Sequence, residues 1–165
     1  IFIRLKYPEI IIKSDLFSCD IFCFEMSLVF LLLIEFILIV NCVDNELFEA
    51  INDDDVNRLK NALDNGSNIN TIGPGKQTPL MFGVLGGKIK CVKLLLELNA
   101  DVNIPEKDGY TPIHGAAFQG RHDILQLLID YGINPRNKHS DGYEPIHRTS
   151  WGNQQRHIKT LKVFL

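Results

Sequence analysis

Two histidines, His114 and His147, are the residues of this sequence most suited to chemistry, since each ends a Pro-Ile-His triplet and they lie 33 positions apart. Histidine is a frequent general base and the commonest metal ligand in proteins. Neighbouring helices lie about 10 Å apart, whereas zinc needs its nitrogens about 2.0–2.1 Å from one ion. A general base also needs a partner group and a pocket, and neither is evident. We therefore expect a structural role for both histidines.

Other catalytic and cofactor motifs are absent or incomplete. The stretch GPGKQT at 73–78 departs from a phosphate-binding loop, because Asn70 holds the first glycine position and Gln77 the hydroxyl position. Cys19 and Cys23 form a CxxxC pair without a histidine or second pair beside it, which is weak as a metal site. No GxSxG or HExxH motif occurs. The sequence predicts no enzyme, cofactor, metal site or small-molecule substrate.

The overall charge is small. The chain has 165 residues, a formal net charge of −3 and a pI near 5.9. Such a balance gives no general electrostatic attraction to nucleic acid or to an anionic membrane. The length suits one globular domain with a further segment attached.

A change in composition near residue 43 separates a leader, 1–43, from the rest. The leader contains the apolar run MSLVFLLLIEFILIVNC at 26–42, interrupted by Glu35. A bilayer span needs about 20 apolar residues, and a signal-peptide core about 7–15. Three alternatives stay open: a signal peptide cleaved before Val43, a membrane anchor, or a buried helix or upstream artefact. Membrane contact is expected only through 26–42, and localisation is secretory or membrane-associated if the run is genuine, otherwise cytoplasmic.

An internal repeat of 33 residues dominates the remaining chain. Its clearest marks are Thr78-Pro79-Leu80-Met81, Thr111-Pro112-Ile113-His114 and Glu144-Pro145-Ile146-His147, with a divergent copy beginning at Asn45. A threonine followed by proline is typical of a helix start. A second apolar helix in each unit ends at Gly66, Asn99 or Gly132, residue types that tolerate a left-handed conformation. Asp-Gly pairs at 108–109 and 141–142 predict hairpin-type turns.

These elements resemble the ankyrin-repeat family, most closely in DGYTPIHGAAFQGRHDILQLLIDYGINP at 108–135. The resemblance implies an all-α solenoid of helix-turn-helix pairs with short β-hairpin-like loops, preceded by a hydrophobic N-terminal helix. The predicted ankyrin-repeat domain is 44–165, with repeats at about 44–76, 77–109, 110–142 and 143–165. The last is truncated, and since solenoids need polar caps we expect the natural chain to continue.

The sequence departs from the family pattern in three places. Lys76 stands where a turn glycine is expected, which predicts an irregular first turn. Glu144 replaces threonine, which should weaken one structural hydrogen bond. The last repeat aligns with the third only at an offset of 36, which places three inserted residues within 152–157. In the family, the histidine of the repeated triplet orders the turn before its helix, and we expect the same here.

The resemblance also implies a function, because ankyrin arrays bind proteins through turn tips and first helices. The variable contact positions would form a partner surface rich in aromatic residues, a type enriched at binding hot spots. These positions are Gln77, Tyr110, Tyr143, Leu85, Phe118, Trp151, Gly86, Gln119 and Gly152. Arg121 and Arg148 could add a preference for acidic partners. We expect a non-catalytic scaffold that binds another protein; the alternative is a regulatory module of a larger enzyme or channel. A covering segment could also shield these side chains.

Overall fold

The computed structural model describes residues 45–151 and 155–165, and every statement below concerns these residues. The leader 1–43 with its hydrophobic run at 26–42 lies outside them, as does Gly152. No helix in the described part of the chain is long and apolar enough to cross a membrane.

Consecutive helices form pairs along the described chain. In order they are α1 (45–52), α2 (Val56–Asp64), α3 (Pro79–Gly86), α4 (Ile89–Glu97), α5 (Pro112–Gln119), α6 (His122–Asp130), α7 (Pro145–Thr149) and α8 (Gln155–Val163). A short 3-10 turn, Pro74–Lys76, precedes α3, and the described residues contain no strand. The all-α solenoid of helix pairs predicted from the sequence is confirmed.

The repeated prolines start helices, as the sequence predicted, whether threonine or Glu144 precedes them. Pro79, Pro112 and Pro145 are the first residues of α3, α5 and α7, where a missing backbone N–H costs nothing. The Thr78 hydroxyl caps α3 by accepting a hydrogen bond of 3.2 Å from the Met81 N–H.

The second helices of the first three pairs, α2, α4 and α6, each end in a Schellman motif. Gly66, Asn99 and Gly132 have φ angles of 102°, 59° and 85°. The residue after each of them donates its N–H to a helix carbonyl five positions back, over 2.9–3.1 Å. The left-handed ends predicted from Gly, Asn and Gly are confirmed.

The helices form two layers. The first helices α3, α5 and α7 pack side by side, while α4, α6 and α8 form the second row. Small residues permit close approach, since a Cβ at Gly115 would stand 3.0 Å from Met81 Cε and 3.2 Å from Leu85 Cδ2. Between the rows lies a continuous apolar core that includes Leu47, Ile51, Leu59, Leu80, Val84, Val92, Leu95, Ile113, Leu125 and Leu128. Burial of each such side chain contributes about 1.5–3 kcal/mol before entropy is counted.

Three turns, 73–77, 106–110 and 139–143, precede the first helices and are called fingertips below. In each, the first N–H donates to the last carbonyl over 2.9–3.0 Å, and the fourth N–H donates back to the first carbonyl. Lys76 adopts a φ of 56° where Gly109 and Gly142 have 84°. The irregularity expected in the first fingertip is therefore one additional left-handed residue, Gly75. The two hydrogen bonds that close the turn form despite the lysine at position 76.

Candidate partner-binding face

His114 is a structural residue of the third repeat. Its side chain is only 1% exposed, and its Nδ1 lies 2.8 Å from the Thr111 hydroxyl. Burial lowers the pKa of His114 to about 4, an effect that His139 and Arg148 reinforce and that the Asn137 backbone and Asp141 oppose. The ring is therefore neutral at pH 7 and orders the turn before α5.

His147, at the same position of the fourth repeat, also hydrogen-bonds at the start of its helix, but to a backbone group. Its side chain is exposed, and its Nδ1 accepts a hydrogen bond of 3.1 Å from the Glu144 backbone N–H. The hydroxyl that Thr111 offers to His114 is missing at Glu144, so a backbone group replaces it. The described residues hold no group of three or more His, Cys, Asp or Glu side chains that could bind a metal ion.

Aromatic side chains at the predicted contact positions stand out from the surface. Phe118, Tyr143 and Trp151 are 50%, 47% and 58% exposed. Tyr110 is half-buried, and the Tyr143 and Trp151 rings meet edge to face with centroids 6.2 Å apart. We call these four residues the aromatic ladder. The remaining described contact positions add little apolar surface: Leu85 and Gln119 are half-buried and Gly86 is exposed.

Gln77 is engaged within the protein. Its side-chain amide donates a hydrogen bond of 3.1 Å to Glu106 Oε2, which links the first fingertip to the second. Burial raises the pKa of Glu106, an effect that the Gln77 hydrogen bond partly offsets. Gln77 therefore joins two neighbouring repeats, whatever else it contacts.

Arg148 corrects an expectation, because its charge does not lie at the surface. The side chain is 1% exposed, and its Cζ stands 4.6 Å from the Tyr110 ring centroid, 5.4 Å from that of Tyr143 and 4.4 Å from that of Trp151. Its position corresponds to Gly115 in the preceding repeat, which faces the neighbouring helix. The guanidinium therefore lies beneath three rings of the aromatic ladder and cannot meet an acidic partner directly.

Asp141 and His139, neither of which the sequence indicates as a partner of Arg148, hold this guanidinium. Arg148 Nη2 donates to Asp141 Oδ2, and His139 Nδ1 lies 2.9 Å from Asp141 Oδ1. Partial burial opposes ionisation of Asp141, but hydrogen bonds from Arg148, the Tyr143 N–H and His139 outweigh it and hold its pKa well below the ordinary value. The Asp141-Gly142 pair predicts only a turn, and nothing in its spacing indicates the arginine as its partner.

Arg121 is likewise turned inward. Its Nη2 donates to the Leu85 carbonyl over 3.3 Å, at the end of α3. In the last repeat His157 Nε2 lies 3.0 Å from the carbonyl of Phe118, which is the position equivalent to Leu85 one repeat later. The offset of 36 between Arg121 and His157 is the one that the sequence indicated for the last repeat. Both side chains satisfy a helix-end carbonyl of the neighbouring repeat.

Cys91 is buried, and its Sγ lies 3.9 Å from the Ala50 carbonyl. Burial raises the pKa of its thiol to about 12, reinforced by the charge and hydrogen bonding of Asp54. The thiol is therefore un-ionised at neutral pH and is not a nucleophile.

Comparison with known proteins agrees with the repeat pattern. The family model described as "Ankyrin repeats (3 copies)" matches residues 47–139 and 100–162. Over 65 residues the chain is 36% identical to the "Notch-regulated ankyrin repeat-containing protein" of Homo sapiens and 35% identical to that of Xenopus tropicalis. Each alignment covers 37% of this chain and 57% of the relative, so the chain spans little more than half the length of these curated relatives.

Proposed function

Because the chain belongs to the ankyrin-repeat family, we propose that it is a non-catalytic scaffold that binds another protein through its fingertips and first helices. Ankyrin repeats are protein–protein interaction modules, and the name of the matched relatives mentions no catalytic activity. The partner surface is the aromatic ladder, with Leu85, Gln77 and Gln119 at its margin.

The observation that carries the proposal is the exposure of Phe118, Tyr143 and Trp151 at the variable positions of successive repeats. Large aromatic side chains that are about half exposed present apolar surface that a partner can bury. Because aromatic rings are rigid, they lose little conformational entropy on binding. Phe118 lies in α5, and Tyr143 and Trp151 flank α7, so packed helices support these rings and the surface is preorganised.

Site-specific photo-crosslinking tests this function. Phe118 is replaced by benzoylphenylalanine, and Tyr131, an equally exposed aromatic residue (43%) at the end of α6, serves as the matched control. In extracts of the source cells, position 118 should crosslink to a discrete protein, whereas position 131 should not. Adding Trp151→Ala should abolish the product.

Equal crosslinking at the two positions, or a product insensitive to Trp151→Ala, would contradict the proposed surface. Circular dichroism accompanies each variant, so that a loss of product is assigned to the surface only when the helical signal is unchanged.

A further inference from the structure

We propose that Arg148 is the positioning residue of the aromatic ladder: its guanidinium sets where the rings of Tyr110, Tyr143 and Trp151 stand. The use of these rings for binding rests on the proposed function. The positioning itself concerns contacts within the chain and can be tested without a partner.

The first step is the geometry around the cation. One guanidinium carbon lies 4.4–5.4 Å from three ring centroids, of which Tyr110 belongs to the third repeat and Tyr143 and Trp151 to the fourth. A cation within about 6 Å of a ring centroid is attracted to the ring, and more strongly when water is excluded. Arg148 is 1% exposed, and among the residues that the structure describes its Nε and Nη1 have no hydrogen-bond partner, so the three rings are the main groups around them. Rings of two repeats therefore share one cation.

The second step is what fixes the guanidinium. Asp141 accepts hydrogen bonds from Arg148 Nη2 and from the Tyr143 N–H, the latter over 3.0 Å. His139 stacks on Tyr110 with centroids 4.4 Å apart and planes 19° from parallel, and its Nε2 lies 3.0 Å from the Asp108 carbonyl. The third fingertip thus holds Arg148 by a carboxylate, and His139 ties that carboxylate to the second fingertip.

The third step is the place of His139 between two fingertips. Its Nε2 lies 3.0 Å from the Asp108 carbonyl, and its Nδ1 lies 2.9 Å from Asp141 Oδ1. The Asp141 N–H and Arg148 Nη2 lie 3.3 and 3.4 Å from the same Nδ1. Removal of this ring therefore takes away the link that ties Asp141, and through it Arg148, to the second fingertip.

Trp151, the one tryptophan of the chain, provides the readout. Arg148→Lys in the full chain is compared with the wild type by emission maximum and iodide quenching, with folding checked by circular dichroism. An ammonium cannot stack flat on rings as a guanidinium does, so we expect red-shifted emission and increased quenching. Asp141→Asn should reproduce this effect. His139→Gln should shift the emission in the same direction, because it removes the link between Asp141 and the second fingertip.

The matched control is Arg136→Lys, at an exposed arginine outside the cluster. It should behave as the wild type. Folded Arg148→Lys or Asp141→Asn with unchanged Trp151 emission and quenching would overturn the proposal. Should Arg148→Lys fail to fold, the Asp141 and His139 variants decide. Failed crosslinking with these fluorescence results intact would refute the proposed function alone.

Discussion

His114 should make the stability of the fold depend on acid. The pKa of its buried ring is about 4, against an ordinary value of 6.5. Between these values the unfolded chain binds a proton that the folded chain does not, so the free energy of unfolding falls as the pH falls through this window. His114→Met removes the titrating group and introduces the residue found at the equivalent position of the preceding repeat, Met81.

The magnitude follows from the two pKa values. Between pH 7 and pH 5 the wild type should lose about 2 kcal/mol through His114, and about 3 kcal/mol once the pH is below both values. The methionine variant lacks this term. It also loses the hydrogen bond with Thr111, which costs about 1 kcal/mol at neutral pH. The two stability curves should therefore cross at about pH 6, with the variant more stable in acid.

Urea unfolding followed by circular dichroism at several pH values between 7.5 and 5 measures both curves. His147→Met is the matched control, because His147 occupies the same position of the next repeat but is exposed. Its curve should run parallel to that of the wild type. If the wild-type and His114→Met curves were parallel instead, the neutral buried imidazole would be refuted.

Two further predictions concern conformation and reactivity. Lys76→Gly should stabilise the fold by about 0.5–1 kcal/mol in thermal unfolding, because a φ of 56° is unfavourable for lysine but not for glycine. Gly142→Ala should destabilise the fold by about 1–2 kcal/mol, because its φ of 84° is unfavourable for alanine although nothing lies within 4 Å of the added Cβ. Opposite signs of these two changes would contradict the assigned backbone conformations. In a chain whose other three cysteines are serine, Cys91 should react with a thiol reagent only as fast as the fold opens, whereas rapid labelling of folded protein would contradict its burial and its raised pKa.

Much of the fold could be predicted because the turns of each repeat depend on the residue types at the turns themselves. Proline at the start of a first helix and Gly66, Asn99 or Gly132 after a second helix act through their own backbone preferences. Lys76 shows the limit of this reasoning. A lysine at a position that usually holds glycine predicts an irregular turn, but two hydrogen bonds within the fingertip keep Lys76 in the left-handed region.

The 33-residue period and the helix pairs could be predicted from the sequence, since these depend on neighbours along the chain. The place of Arg148 could not, because it depends on packing between repeats. It follows an exposed histidine and precedes a buried threonine, and only the packing of α7 against α5 turns its side chain under the rings of Tyr110, Tyr143 and Trp151. A buried guanidinium needs a counter-charge, here Asp141, and further groups that attract a cation, here the aromatic rings. Packing of the repeats brings these groups together from separate turns. Such a meeting is a property of the stack, and no single repeat contains it.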